Sequence, residues 1–205
     1  MIYQGIDVSS AQGQLSDQDW AAISKTYTFA ILECFVGNDY KSSTYEANKT
    51  NATNAGLRIL PYHFLYAGLP TDNNPLHINR DPVKQATLHY AACNSKAVAD
   101  LEWPTDFNGW NTSPAAVVDW THAYLERYKI LSGEYPILYS YPYYLKSLGN
   151  PDFSYCQLWI ASYAEQPTIP APFSTYVLWQ YSSTGHLPNG AQVDLDCCTD
   201  ISIFD

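Results

Sequence analysis

Asp100 and Glu102 are the two residues best spaced for acid–base chemistry, within the run Ala97-Val98-Ala99-Asp100-Leu101-Glu102-Trp103. The run reads as a short buried strand, 97–103. Side chains two apart on a strand share a face, so the two carboxylates project together with roughly 6–7 Å between their Cα atoms. Carboxylates that close repel when both are ionised, and one keeps its proton to higher pH. A proton retained at neutral pH is what a general acid needs. A lone Asp-x-Glu is more often a capping residue beside a solvated strand end, so the rest of the chain must decide.

Two further carboxylates gain meaning from the elements that carry them. Residues 2–9 read as a strand bearing Asp7 near its end, and 192–196 as a strand bearing Asp194. Between them the pattern alternates. Strands are expected at 28–34, 57–66, 97–103, 135–140, 157–163 and 176–182, and helices from Ser16, over 43–55, over 81–93 and over 113–131. Ser16 followed three residues later by Asp19 forms a capping-box pattern. Gly56 and Gly133 stand where helices end. Residues 141–150 hold at most a short helix, 67–79 form a Pro/Asn-rich loop, and the proline-rich link 164–174 cannot be a crossover helix. Strand–helix alternation predicts a parallel sheet with right-handed crossovers, and eight strands predict a closed barrel whose last three strands lack helices. In such barrels chemistry sits at the C-terminal ends of the strands. Asp7, Asp100, Glu102 and Asp194 are therefore expected to converge on one mouth, the first and last strands becoming neighbours on closure.

Composition narrows the function class. The 205 residues suit one domain, 1–205, with a full core. Formal net charge is −10, with 18 Tyr and 6 Trp. Such a chain is ill suited to nucleic acid or an anionic membrane surface and well suited to an aromatic cleft. No apolar run approaches the roughly 20 residues of a membrane span. No basic segment followed by an apolar one opens the chain. The expectation is either release of a phage type at lysis or a secreted enzyme whose leader has been removed, acting outside the cell or at its wall. Cys34, Cys93, Cys156, Cys197 and Cys198 lack the paired spacing of a zinc site, and disulfides and buried thiols both remain open.

The chain resembles the glycoside hydrolase family 25 lysozymes, the muramidases of Chalaropsis type. Gly5-Ile6-Asp7-Val8-Ser9-Ser10-Ala11-Gln12-Gly13 is similar to that family's opening signature. Asp19-Trp20, Pro61-Tyr62-His63-Phe64, Asp100-Leu101-Glu102 and Pro136-Ile137-Leu138-Tyr139 follow in the family's order, as do Trp159-Ile160-Ala161-Ser162-Tyr163, Trp179-Gln180-Tyr181-Ser182-Ser183 and Val193-Asp194-Leu195-Asp196. The resemblance implies an α/β fold, a single modified TIM-like barrel of the form (β/α)5(β)3. It implies hydrolysis of the β-1,4 bond between N-acetylmuramic acid and N-acetylglucosamine in peptidoglycan, by a monomer with no cofactor and no metal. Two positions depart from the pattern: Glu33 replaces a usual lysine and Val36 a usual acid.

By the same resemblance Glu102 is the acid, with Asp100 raising its pKa. Asp100 either attacks or supports the anomeric carbon, or orients the substrate's own 2-acetamido group. Asp7 and Asp194 flank the pair. Tyr62, Tyr139, Tyr163, Trp179 and Gln180 are the candidate substrate-binding residues, with Trp103 and Tyr181 as further aromatics at the mouth, since sugar C–H faces pack on aromatic planes. His63 reads as a structural histidine. Two competitors remain: a metal-dependent hydrolase using the carboxylates for Mg²⁺ or Ca²⁺, and a glycan-binding relative without catalysis.

Overall fold

The computed structural model describes residues 1–38, 40–67, 80–93, 96–103 and 113–205, so most of the expected 67–79 loop lies outside the described residues. Along them run β1 (Tyr3–Val8), α1 (Asp17–Ile23), β2 (Phe29–Val36), β3 (Tyr40–Lys41), α2 (Tyr45–Asn54), β4 (Arg58–Phe64) and α3 (Pro82–Cys93). Then come β5 (Val98–Asp100), α4 (Pro114–Ser132), β6 (Ile137–Ser140), α5 (Pro142–Ser147), β7 (Leu158–Ala161), β8 (Leu178–His186), β9 (Gln192–Cys198) and a final 3-10 turn, Ile201–Phe204. Helix ends follow local chemistry. Ser16 caps α1 in a reciprocal box, its Oγ accepting from the Asp19 amide at 3.2 Å while Asp19 Oδ2 accepts from the Ser16 amide at 2.9 Å. Asp81 Oδ1 accepts from the amides of Val83 and Lys84 at the start of α3. Ser113 caps α4, which ends on Gly133 at φ 90°.

The strands close a barrel in the order β1-β9-β8-β7-β6-β5-β4-β2, with β2 pairing back onto β1 and β3 appended to β2. Helices α1–α5 separate the first six barrel strands, and β7, β8 and β9 follow without helices, as a (β/α)5(β)3 barrel requires. From β1 round through β8 every barrel pair is parallel. β9 is the exception, antiparallel to both β8 and β1. A hairpin from β8 leads directly into β9, which needs no crossover helix. Two expectations change accordingly. Asp194 enters the mouth from the N-terminal half of its strand, not the C-terminal end. β5 stops at Asp100, so Glu102 stands beyond the strand and not on it.

Strand alternation sorts the side chains into two layers. Phe29, Ile31, Leu60, Tyr62, Val98, Ile137, Tyr139, Trp159 and Leu178 fill the barrel interior, while Ile6, Val8, Leu32, Cys34, Leu138 and Ile160 face the helices. Ile203 plugs the interior from below, and Phe204 packs on Phe29 with ring centroids 4.6 Å apart. Gly5 permits this plug, since a Cβ there would sit 2.1 Å from Phe29 Cε2. Phe29 is fully buried and has no room to yield. Gly5→Ala is expected to cost about 1–3 kcal/mol through overpacking, seen as a lower urea midpoint with unchanged slope.

Candidate active site

At the end of the barrel where the parallel strands terminate, a cavity of about 550 Å³ opens among Asp7, Glu33, Asp100, Glu102 and Asp194, with Tyr62, Tyr139 and Trp159 in its wall. Beside it lies a second hollow of about 510 Å³, walled by Tyr141, Tyr143, Ser162, Tyr163 and Thr168. Glu102 and Tyr139 border both, so Glu102 stands where the two halves of one cleft meet. None of the described residues lining either half is Lys or Arg.

The floor of the cleft is organised by one amide. Gln180 is 2% exposed and saturated. Its Nε2 donates to Asp7 Oδ2 at 2.8 Å and to Asp194 Oδ2 at 3.3 Å, and its Oε1 accepts from the hydroxyls of Tyr139 at 3.0 Å and Tyr163 at 2.9 Å. The Oε1/Nε2 orientation follows from these partners: two carboxylates need donors and two phenols need an acceptor. Asp7 and Asp194 are paired residues across β1 and β9. Asp196, two residues further along β9 and fully buried, accepts from Trp159 Nε1 at 2.9 Å. The rim is tied down as well. Ser10 donates its amide to Glu33 Oε1 at 3.2 Å, and Gln12 Nε2 donates to the Gln192 carbonyl at 2.9 Å across the barrel seam.

So many acids in one uncompensated, buried place hold their protons high. Burial, and next the Asp194 charge, push Asp7 up to about 7. Burial and then Asp194 likewise push Glu102 up to about 7. Asp100 lies well above the ordinary carboxylate range, first through burial and then through Glu102 and Asp7. Asp196 is raised well above its usual value, and burial raises Asp194 and Glu33. After burial, Asp194 is the neighbouring acid that raises Glu102, while Glu102 and Asp7 raise Asp100.

These shifts fix a sign for stability. In the unfolded chain Asp7 and Glu102 titrate near 4, and in the fold near 7. Between those values the folded state binds more protons, so stability falls as pH rises. His63, lowered to about 4 by burial, acts oppositely below its usual pKa of 6.5. The clean window is therefore pH 6.5 to 8, where the two carboxyls are expected to lose about 1–2 kcal/mol between them. Calorimetric melts across that window should show a falling Tm.

Of the aromatic candidates, Tyr62 and Tyr139 line the cleft, and Tyr163 is 59% exposed on its second half. Trp179 does not reach it. Gln180 faces inward on β8, so its neighbour Trp179 must face out. There Trp179 Nε1 donates to the Ser162 carbonyl at 2.7 Å and its ring packs against Tyr176 and Tyr181. Tyr181 also faces out, donating to Gln4 Oε1 at 2.8 Å. Trp103, 56% exposed, rests against Tyr144 and lines neither half. His63 is buried behind β4, bonded to the Gly37 carbonyl and the Tyr124 hydroxyl, in keeping with a structural role. Trp159 and Asp196 join the site without being among the sequence candidates. Their parity with Ala161 and Asp194 on strands already recognised is the signal that would have found them.

Comparison with known proteins gives this architecture a family. Residues 6–190 match the family model described as Glycosyl hydrolases family 25, and the chain belongs to that family. It is 27% identical over 209 residues to Lysozyme M1 of Streptomyces globisporus, covering 94% of this chain and 66% of that protein. It is 28% identical over 200 residues to the autolytic lysozyme of Clostridium acetobutylicum, covering 94% of this chain and 55% of that one. The chain therefore spans less than two thirds of the length of either relative. The bacterial lysozyme from Streptomyces coelicolor superimposes with a TM-score of 0.80 at 25% identity, over 97% of this chain and 92% of that one.

Proposed function

We propose that residues 1–205 form one catalytic barrel that hydrolyses the β-1,4 bond between N-acetylmuramic acid and N-acetylglucosamine in peptidoglycan. The observation that carries this reading is the position of Glu102. It borders both halves of the cleft and is protonated up to about pH 7. A glycan laid along the cleft would have its scissile oxygen at that junction, within reach of the acid. Glu102 donates its proton to the leaving oxygen as the anomeric carbon takes on positive charge.

Asp100 takes the second role. Its Oδ1 is buried and has no hydrogen-bond partner among the described residues. An acetamido N–H from the sugar would satisfy that oxygen and aim the acetamido carbonyl at the anomeric carbon, so the substrate supplies its own nucleophile. Asp7 and Asp194, fixed by Gln180, hold a sugar hydroxyl or the hydrolytic water, and Asp194 helps keep Glu102 protonated. Tyr62, Tyr139 and Tyr163 offer ring faces and hydroxyls to the sugars. The protein works as a monomer on wall polysaccharide outside the cell or at the wall, without nucleic acid or membrane as partner. No described helix is long and apolar enough to cross a membrane.

The test is release of soluble reducing sugar from purified peptidoglycan, with and without EDTA, at a temperature where the protein stays folded. Release unaffected by EDTA is the expected result. Wall binding without release would favour a non-catalytic glycan binder, and release abolished by EDTA a metal-dependent hydrolase.

A further inference from the structure

Away from the cleft, on the outer side of the barrel wall, three potential metal ligands meet under α3. Cys34 projects outward from β2. His89 and Cys93 are four residues apart on α3 and therefore share one helix face. All three are buried. The two Sγ atoms are 3.4 Å apart, and both lie within 4.8 Å of a His89 ring nitrogen.

Two buried polar atoms here lack a partner among the described residues. His89 Nδ1 is engaged by the Tyr124 hydroxyl at 2.6 Å, whereas Nε2 has none. The Tyr45 hydroxyl also has none, and the Cys34 and Cys93 thiols are among its electrostatic neighbours. Buried polar atoms left unsatisfied cost about 1–3 kcal/mol each. Two of them beside two thiols point to an occupant that accepts an imidazole lone pair and sulfur together.

We propose that Cys34, His89 and Cys93 bind one zinc ion that ties α3 to β2, with the Tyr45 hydroxyl or a water in the fourth position. Zinc favours four-coordinate thiolate–imidazole sites, with Zn–S near 2.3 Å, which sets a sulfur–sulfur separation of roughly 3.8 Å. The thiols need to part by only a few tenths of an ångström. Both thiols lose their protons to solvent on binding, and two thiolates cancel the charge of Zn²⁺, which an apolar surround requires. The Tyr124 contact at Nδ1 fixes the ring tautomer and orientation, the usual outer support of a ligating histidine. A Cys34–Cys93 disulfide would explain the sulfurs but leave His89 Nε2 and the Tyr45 hydroxyl without partners. Short-range cysteine spacing carries no hint of this site, because one ligand comes from a strand more than fifty residues away.

The experiment is elemental analysis of the full chain refolded with zinc and freed of loosely held metal. Wild type should hold about one zinc per chain, and Cys34→Ala and Cys93→Ala should lose it. Cys197→Ser/Cys198→Ser should keep it. His89→Gln preserves bulk and a polar contact, so it covers the case in which a cysteine variant fails to fold; it should lose the metal and melt lower than wild type. Cobalt in place of zinc should give thiolate-to-metal absorption in the near ultraviolet. Zinc-free wild type, equal zinc in the His89 and cysteine variants, or only three titratable thiols in the denatured, unreduced chain would each overturn the assignment, the last in favour of the disulfide.

Discussion

Glu102→Gln is expected to slow reducing-sugar release by about 10²–10⁴-fold, the usual worth of a positioned general acid. The substitution keeps shape and hydrogen-bonding capacity but removes the transferable proton. Wall binding should persist, because the cleft walls and Tyr139 are untouched. The wild-type rate should decline as pH rises through about 7, where Glu102 loses its proton. The sign is that of an acid, since the protonated form does the work. The residual activity of the variant should lack that alkaline limb. A variant with near-wild-type rate and the same limb would assign the proton to another group, and Asp7, also titrating near 7, would be the first to test.

Asp100→Asn should reduce kcat by about 10²–10³-fold, in the range found when one positioned electrostatic partner of a transition state is removed. The acetamido N–H grows more acidic as its carbonyl oxygen closes on the anomeric carbon, and an amide cannot take up that developing charge. Two further results separate this route from covalent attack by Asp100. Peptidoglycan with N-deacetylated amino sugars should resist the wild-type enzyme, because it lacks the internal nucleophile. Azide should not restore the rate of Asp100→Asn, because no carboxylate nucleophile has been lost. Cleavage of the deacetylated polymer together with azide rescue would make Asp100 the nucleophile.

Much of this was legible in the residues themselves. The Ser16–Asp19 box, Gly133 and the strand–helix alternation are short-range signals, and they identify α1, the end of α4 and the (β/α)5(β)3 order. Strand direction is another matter. Alternation has a period of two whether a strand runs parallel or antiparallel, so nothing in Gln192–Cys198 reveals that β9 reverses. That reversal decides which end of the strand carries Asp194 to the mouth. The choice of both Trp179 and Gln180 as cleft residues conflicts with alternation itself, since neighbours on β8 cannot face the same way. Gln180 faces in because Asp7 and Asp194 await its amide, a demand visible only once β1, β8 and β9 are side by side. The source of pressure on Glu102 was equally hidden. Asp100 is nearer in sequence, yet the neighbouring charge that raises Glu102 is that of Asp194, brought in by β9.

The most direct test of the central claim is the chemistry of the ends produced. Purified peptidoglycan is digested with the wild-type protein, reduced with borohydride and hydrolysed, and the reduced amino sugars are separated. Muramitol accumulating in step with the soluble fragments is the predicted result, since cleavage at the muramic acid anomeric carbon leaves that sugar as the new reducing end. Glucosaminitol in its place would mean that the enzyme cuts the other glycosidic bond, and neither sugar alcohol, with the protein still bound to the wall, would mean that the barrel holds glycan without breaking it.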